Sequence, residues 1–341
     1  MTLPPTARGF ALASALVALA AAGWAEGDGP ARADLRRARR VEARLQATIA
    51  SVRSTVVTIH VPAPPGEGTS GGSGVLIDAG GAVLTCDHVT AGQDVVTVGL
   101  ADGRTLEGRV VGRDPTGDLA LIEVPLRGAP HATFGDAHAL AVGDLVLALG
   151  NPFGLAKGDH EPAASLGIVS GLHRYQGGVK VYADAIQFDA AVNPGSSGGP
   201  LFDLSGRLIG LSGRISIRGL ARHHVGVGFA IPIHQAELAL PALRRGETVA
   251  RGYLGVEFAR SADGRAGARV TGVVAGSPAA AAGLTAQDRI VAVDGRPVEH
   301  PVRLQNFLTV LPAGAEVSLT ILRDGARREV RVTLGARAGS R

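Results

Sequence analysis

From Thr55 onward the sequence breaks into short runs rich in β-branched and apolar residues, separated by Gly, Asp and Pro. This punctuation restricts the fold more than any other feature. A first group reads "TVVTIHV", "SGVLIDAGGAVLT", "DVVTVGLADGRTLEGRVVG" and "DLALIEV", with "DAGG" and "ADGR" as hairpin turns. A second group reads "DLVLALG", "ASLGIVSGL", "AIQFDAA", "PLFDLSGRLIGLSG" and "VGVGFAIP". Two groups of similar size, each roughly 70 to 90 residues, predict paired antiparallel barrels rather than one open sheet. The cleft between them is the natural place for a site.

The flanks differ in texture. Residues 31 to 53 are rich in helix formers, with Leu35, Val41, Leu45 and Ile49 on one face and arginines on the other. "IHQAELALPALRRG" reads as a helix closing the β-rich region, "ETVARG" as a short linker, and the rest as a small module of strands and two helical stretches. The first residues carry Arg8, an apolar run, then small residues around Ala22 to Ala25, the pattern of a secretory signal peptide. A retained membrane anchor is the alternative. Cys86 is the single cysteine, so no intrachain disulfide can form. The net charge of +4 comes almost entirely from arginine, and no basic run carries interleaved aromatics. That excludes a nucleic-acid surface as the leading reading.

The stretch "DAAVNPGSSGGPLFD", residues 189 to 203, joins two strand-like runs and sets adjacent serines among glycines. Gly195 and Gly198 permit a sharp turn that presents bare N–H groups, as an oxyanion hole requires. Serine chemistry also needs a base and an acid that orients it. "VLTCDHVTAG" supplies His88 and "DPTGDLALIEV" supplies Asp118. With Ser197 the chain order is His, Asp, Ser, the order of two-barrel proteases. "GSSGG" also fits the nucleophile elbow of α/β-hydrolases, for which Asp203 and His234 are formally available. The β-rich surroundings argue against it. No histidine pair has metal-ligand spacing, His223 and His224 being adjacent, so neither a metal nor a cofactor is expected.

The ordered motifs "TCDHV", "GDLALIEV", "GNPFGL" and "NPGSSGGPL", followed by a module at 250 to 338 that looks like a PDZ domain, resemble the HtrA (Deg) family of serine proteases. The resemblance implies a mainly β fold of two six-stranded trypsin-like barrels followed by a small α+β PDZ domain. It divides the chain into signal peptide (1–25), N-terminal helical segment (26–53), protease domain (54–246) and PDZ domain (247–338). It makes Ser197 the nucleophile, His88 the general base and Asp118 its orienting acid. The oxyanion hole falls to Gly195 and Ser197, with Ser196, where the family usually has Asn, between them. Cys86 stands where the family commonly has Asn and reads as a small buried residue rather than a reactive thiol.

For specificity, the resemblance puts Ala191 where a basic-residue protease carries a carboxylate. It lines the pocket with Val192 and Ile215, so small aliphatic side chains should fit. In the last domain "RGYLGVEF" resembles a carboxylate-binding loop, with the N–H groups of Leu254, Gly255 and Val256 receiving a peptide C-terminus beside the helix "PVRLQNFLTVL". Leu304, Phe307 and Leu308 have helical spacing, so some of them are expected in the core rather than the groove, core being the better choice for any one. The loop "AKGDHEPAAS" is longer and more polar than the family's, and "PAPPGEGTSGG" is short. The expected function is an exported, periplasmic, ATP-independent endopeptidase acting on unfolded proteins, as a homotrimer or a multiple of it. The alternatives are a peptide-binding chaperone or scaffold, and a regulatory protease with one signalling substrate.

Overall fold

The computed structural model describes residues 32–61, 70–156, 158–177, 180–215, 225–259 and 264–336. The expected signal peptide, most of the loop after the first strand, and His223 and His224 lie outside them. Among the described residues no helix is long and apolar enough to cross a membrane.

Helix α1 (Arg32–Val52) follows the expected span to within a residue. Up to residue 47 it carries exposed arginines on one side and Leu35 and Val41 on the other. From Thr48 it belongs to the main body, where the Thr48 hydroxyl donates to the Leu204 carbonyl at 3.1 Å and Val52 is buried.

The first barrel closes from β1 (Val56–Val61), β2 (Ser70–Leu76), β3 (Ala82–Thr85), β4 (Val95–Leu100), β5 (Thr105–Asp114) and β6 (Leu119–Glu123), in the order β1-β2-β3-β6-β5-β4. Short strands of β-branched residues suit a tightly coiled barrel. Ile59, Leu76, Leu84, Leu121 and Ile122 of these strands are fully buried, Leu76 and Ile122 on one face of the sheet and Leu84 and Leu121 on the other. "DAGG" and "ADGR" form the β2–β3 and β4–β5 turns as expected.

The second barrel comprises β8 (Leu145–Gly150), β9 (Ala163–Gln176), β10 (Tyr182–Phe188), β11 (Pro200–Asp203), β12 (Arg207–Ile215) and β13 (Gly228–Pro232), closed by β11–β12 pairing. The two-residue β7 (Thr133–Phe134) runs parallel to β12 outside the ring. Leu147, Ile186, Phe188, Leu201, Phe202 and Leu208 make its core. The fold is thus mainly β with two six-stranded antiparallel barrels, closed by helix α2 (Ile233–Arg244). The polar loop between β8 and β9 folds back on the first barrel. His160 is buried there between the hydroxyls of Thr58 and Thr105, and Glu161 pairs with Arg53 at 2.5 Å.

The final module begins with β14 (Gly252–Tyr253) and then builds a sheet in the order β15 (Val256–Phe258), β16 (Ala268–Val273), β17 (Arg289–Val293), β19 (Glu316–Arg323), β20 (Ala326–Thr333). β18 (Arg296–Pro297) pairs with β17, and β21 (Gly335–Ala336) with β14. Helices α3 (Pro278–Ala281) and α4 (Pro301–Val310) accompany it. Leu304, Phe307 and Leu308 of α4 are all core, as their spacing suggests.

Candidate active site

His88 sits just beyond the end of β3, on a one-turn 3-10 helix, Asp87–Thr90. Asp118 precedes β6 with φ of 59°, a left-handed conformation that Asp tolerates better than most residues. The turn before it is pinned by Asp114, whose carboxylate accepts the Gly117 N–H at 2.7 Å. These constraints bring the Asp118 carboxylate against His88. Oδ1 accepts the His88 backbone N–H at 3.0 Å, and Oδ2 lies 2.7 Å from the imidazole Nδ1. Asp118 is fully buried, while the His88 side chain is 40% exposed. Burial alone would favour the neutral acid. The hydrogen bond and charge of His88, then the Tyr182 hydroxyl and the His88 N–H, outweigh it and hold the Asp118 carboxyl below its ordinary range.

Ser197 lies on the loop before β11, on the second barrel. Gly195 and Gly198 have φ of 98° and 81°. A Cβ at Gly195 would fall 2.3 Å from the Asn151 carbonyl oxygen, and one at Gly198 2.1 Å from the Thr85 hydroxyl, so glycine is required twice over. The Pro194 carbonyl accepts the Phe153 N–H at 2.6 Å. Because carbonyl and N–H point to opposite sides of a trans peptide, the Gly195 N–H is turned away from Phe153. Ser73 of β2 fastens the loop across the barrels. Its hydroxyl donates to the Gly195 carbonyl and accepts the Asn151 N–H, each at 2.8 Å, and its N–H donates to the Ser197 carbonyl at 2.8 Å. The Ser196 N–H is used within the turn, donating to Asn193 at 2.8 Å. The Ser197 hydroxyl makes only a long contact, 3.5 Å to the Gly213 carbonyl, and no hydrogen bond to His88 is formed among the described residues.

The structure therefore brings His88 and Asp118 together and sets the Ser197 loop across the seam from them, held by Ser73. Val192, on the segment between β10 and β11, is buried; Ile215 ends β12 opposite Gly228, its side chain outside the described residues. Asp203 closes β11 and His234 opens α2, and the serine loop leads into a strand rather than a helix, unlike a hydrolase elbow. Cys86 is buried, with Sγ 3.6 Å from the Ser212 carbonyl, and burial pushes its thiol well up. Cys86, His88 and Asp118 have ligand atoms within 4.8 Å of one another. Yet Nδ1 is committed to Asp118 and the thiol stays protonated, so the group suits proton transfer better than ion binding.

Five residues have a place in the site or the seam that sequence reading did not assign. Ser73 is hidden in a glycine-rich strand. Tyr182 donates its hydroxyl to Asp118 Oδ2 at 2.5 Å, and Lys180 lies 3.6 Å from Oδ1 while pairing with Asp87. Between the second barrel and the last module, Asn306 of α4 accepts the Asp184 N–H at 2.9 Å and donates to the His173 carbonyl at 2.7 Å. The buried Arg251 donates through Nε to Asp114 at 2.7 Å and through Nη1 to the Val310 carbonyl at 2.7 Å.

In the last module Leu254 is buried, and Gly255, with φ of 83°, abuts Ser277, where a Cβ would lie 2.2 Å from Cβ of Ser277. Val256 starts β15, an edge strand, and a groove runs between it and α4, bordered by Phe258, Val302 and Leu308 and by Tyr175 of β9.

Residues 72–211 match the family model of the trypsin-like peptidase domain, and 252–334 that of the PDZ domain. A probable periplasmic serine endoprotease, DegP-like, of Pseudomonas putida (strain W619) is 39% identical over 279 residues, covering 79% of this chain and 57% of that protein. One of the same description from Chlamydia trachomatis serovar D is 38% identical over 77% of this chain and 53% of its own length. The chain thus spans little more than half the length of these curated relatives. The solved HtrA-type protease AlgW with tripeptide superposes with a TM-score of 0.71 at 34% identity, over 86% of this chain and 97% of AlgW. The serine endoprotease from Yersinia pestis does so with 0.63 at 27% identity, over 86% and 98%. Likeness across both modules, at over 30% identity and nearly the full length of AlgW, places this chain in the family of HtrA-type serine proteases.

Proposed function

We propose that this chain is an exported serine endopeptidase that cleaves unfolded proteins after small aliphatic residues without ATP. The observation that carries the reading is the buried Asp118 bound to His88 Nδ1 at 2.7 Å, which commits that nitrogen as donor and leaves Nε2 as the base. Ser197 is the nucleophile. Its hydroxyl, held only weakly by Gly213, turns to Nε2 as substrate enters, gives up its proton and attacks the scissile carbonyl. The oxyanion that forms meets the N–H groups of Gly195 and Ser197, the first oriented by the Pro194–Phe153 bond and the second by the Ser196 carbonyl, which accepts the Gly199 N–H at 3.0 Å. His88 then passes the proton to the leaving amine, and water hydrolyses the acyl-enzyme by the reverse sequence.

Ala191 and Val192 offer no carboxylate to a basic side chain, which supports cleavage after Val, Ala or Ile. The β15 edge supports capture of a peptide as an added strand, its C-terminal carboxylate on the loop of Leu254, Gly255 and Val256. Periplasmic placement rests on the names of the relatives and on the apolar leader. A trimer, or a multiple of it, is the assembly that the family resemblance supports. Mass spectrometry of digested casein is expected to give products ending in Val, Ala or Ile. A list dominated by Lys and Arg ends would remove the specificity reading, and no digestion would remove the enzyme.

A further inference from the structure

We propose that Tyr182 is a positioning residue of this site, its hydroxyl fixing the Asp118 carboxylate that in turn orients His88. The inference rests on the proteolytic reading above. The phenol donates to Oδ2, the same oxygen that receives His88 Nδ1–H. Asp118 has no access to water, so no solvent molecule can take over a lost donor.

The placement follows from strand alternation. On β10 and just before it, Val181 and Ala183 face Val310 of α4 in a small apolar cluster, so Tyr182 between them points to the opposite side. Both flanks are tied down. The Val181 N–H donates to Thr116, two residues before Asp118, at 2.8 Å, and the Asp184 N–H is held by Asn306. The ring also needs space at β12. A Cβ on Gly213 would lie 2.5 Å from the Tyr182 hydroxyl and 2.8 Å from Cζ. Gly213 is the residue whose carbonyl receives the Ser197 hydroxyl, so one phenol contacts the acid and backs the strand beside the nucleophile.

A donor to Oδ2 draws charge away from the face that holds the imidazole. Without it the carboxylate swings more freely and stabilises a protonated His88 more strongly. The other ionisable groups facing the pair are Asp87, Lys180, Arg113 and the Cys86 thiol, and none of them changes in the test.

The test uses the full chain, a chromogenic peptide ending in Val, and kcat and KM across pH. Tyr182→Phe is expected to lower kcat roughly tenfold, to leave KM within about twofold, and to move the acid limb of kcat/KM to higher pH. The opposite perturbation needs no deletion. The chain has three tyrosines, so 3-fluorotyrosine can replace them all, and its more acidic phenol is expected to move the acid limb to lower pH. This second arm stands even if the phenylalanine variant fails to fold. Acid limbs unmoved in fluorotyrosine protein, or a slower Tyr182→Phe enzyme with an unshifted profile, would overturn the proposal while leaving the protease intact. A parent chain with no turnover at any pH would instead remove the proteolytic reading and this inference with it.

Discussion

On the first barrel His88 and Asp118 are joined by two hydrogen bonds, and Tyr182 adds a third donor to a carboxylate that water does not reach. On the second, the Ser197 side chain has one contact of 3.5 Å, while the backbone around it is fixed by Ser73, Phe153 and Asn193. The proposed acid and base are organised through side chains, the proposed nucleophile through its peptide groups. The difference follows from what each must do. A buried carboxylate is stable only when its acceptor sites are filled, whereas a nucleophile must be able to move.

Breaking the side-chain half is expected to have the largest effect. Asp118→Asn keeps a residue that accepts φ of 59°, so the backbone should survive, but the amide can present N–H to Nδ1 and favour the wrong tautomer. A loss of about 10⁴ in kcat, with an unchanged unfolding midpoint, is expected from peptide kinetics and thermal melts. A loss under tenfold would mean that the His88–Asp118 contact is not what prepares the base.

One layer further out, the same half depends on Asp114, which pins the turn before Asp118 and is neutralised by Arg251 from the start of the last module. Both are buried, at 0% and 3% exposure. Arg251→Met leaves the Asp114 charge without its partner and is expected to cost about 3–5 kcal/mol in urea unfolding. Adding Asp114→Asn should recover part of that loss. A neutral Arg251→Met would show that the turn holds itself.

The smallest expected effect lies at the seam near Asp184. His234 lies 3.6 Å from that carboxylate and stacks on His138 at 4.1 Å. Burial first, then the charge of His138, lowers its pKa to about 4 from 6.5. The folded chain therefore binds fewer protons than the unfolded one between those values. Its contribution is full above pH about 6.5 and is lost as pH falls towards about 4, up to about 3 kcal/mol. His234→Gln should flatten the unfolding midpoint across that window. An equal slope in both proteins would assign the pH dependence to other groups.

Much of the fold was legible in the sequence, because barrels are announced by punctuation, and the residues proposed to react stand in short motifs. The strand runs, both hairpin turns and helix α1 lie where the local pattern puts them. His88 sits on a turn of 3-10 helix just past the strand, a detail the motif does not announce. What stayed hidden depends on long-range pairing. Ser73 sits 122 residues from the carbonyl it holds, Tyr182 is 64 from Asp118, and Asn306 is 133 from His173. Each is one unremarkable residue in an ordinary strand or helix. Only the closure of the barrels and the seating of α4 against β9 and β10 bring them to their partners.

The central claim is that His88, prepared by Asp118, activates Ser197 and not its neighbour. A sulfonyl fluoride or fluorophosphonate label, located by peptide mass spectrometry, tests it most directly. The account predicts one modified residue, Ser197, in the parent chain and in Ser196→Ala, and none in Ser197→Ala or in His88→Ala, since an unassisted hydroxyl reacts poorly. A label on Ser196, or undiminished labelling of Ser197 in the His88→Ala protein, would contradict it.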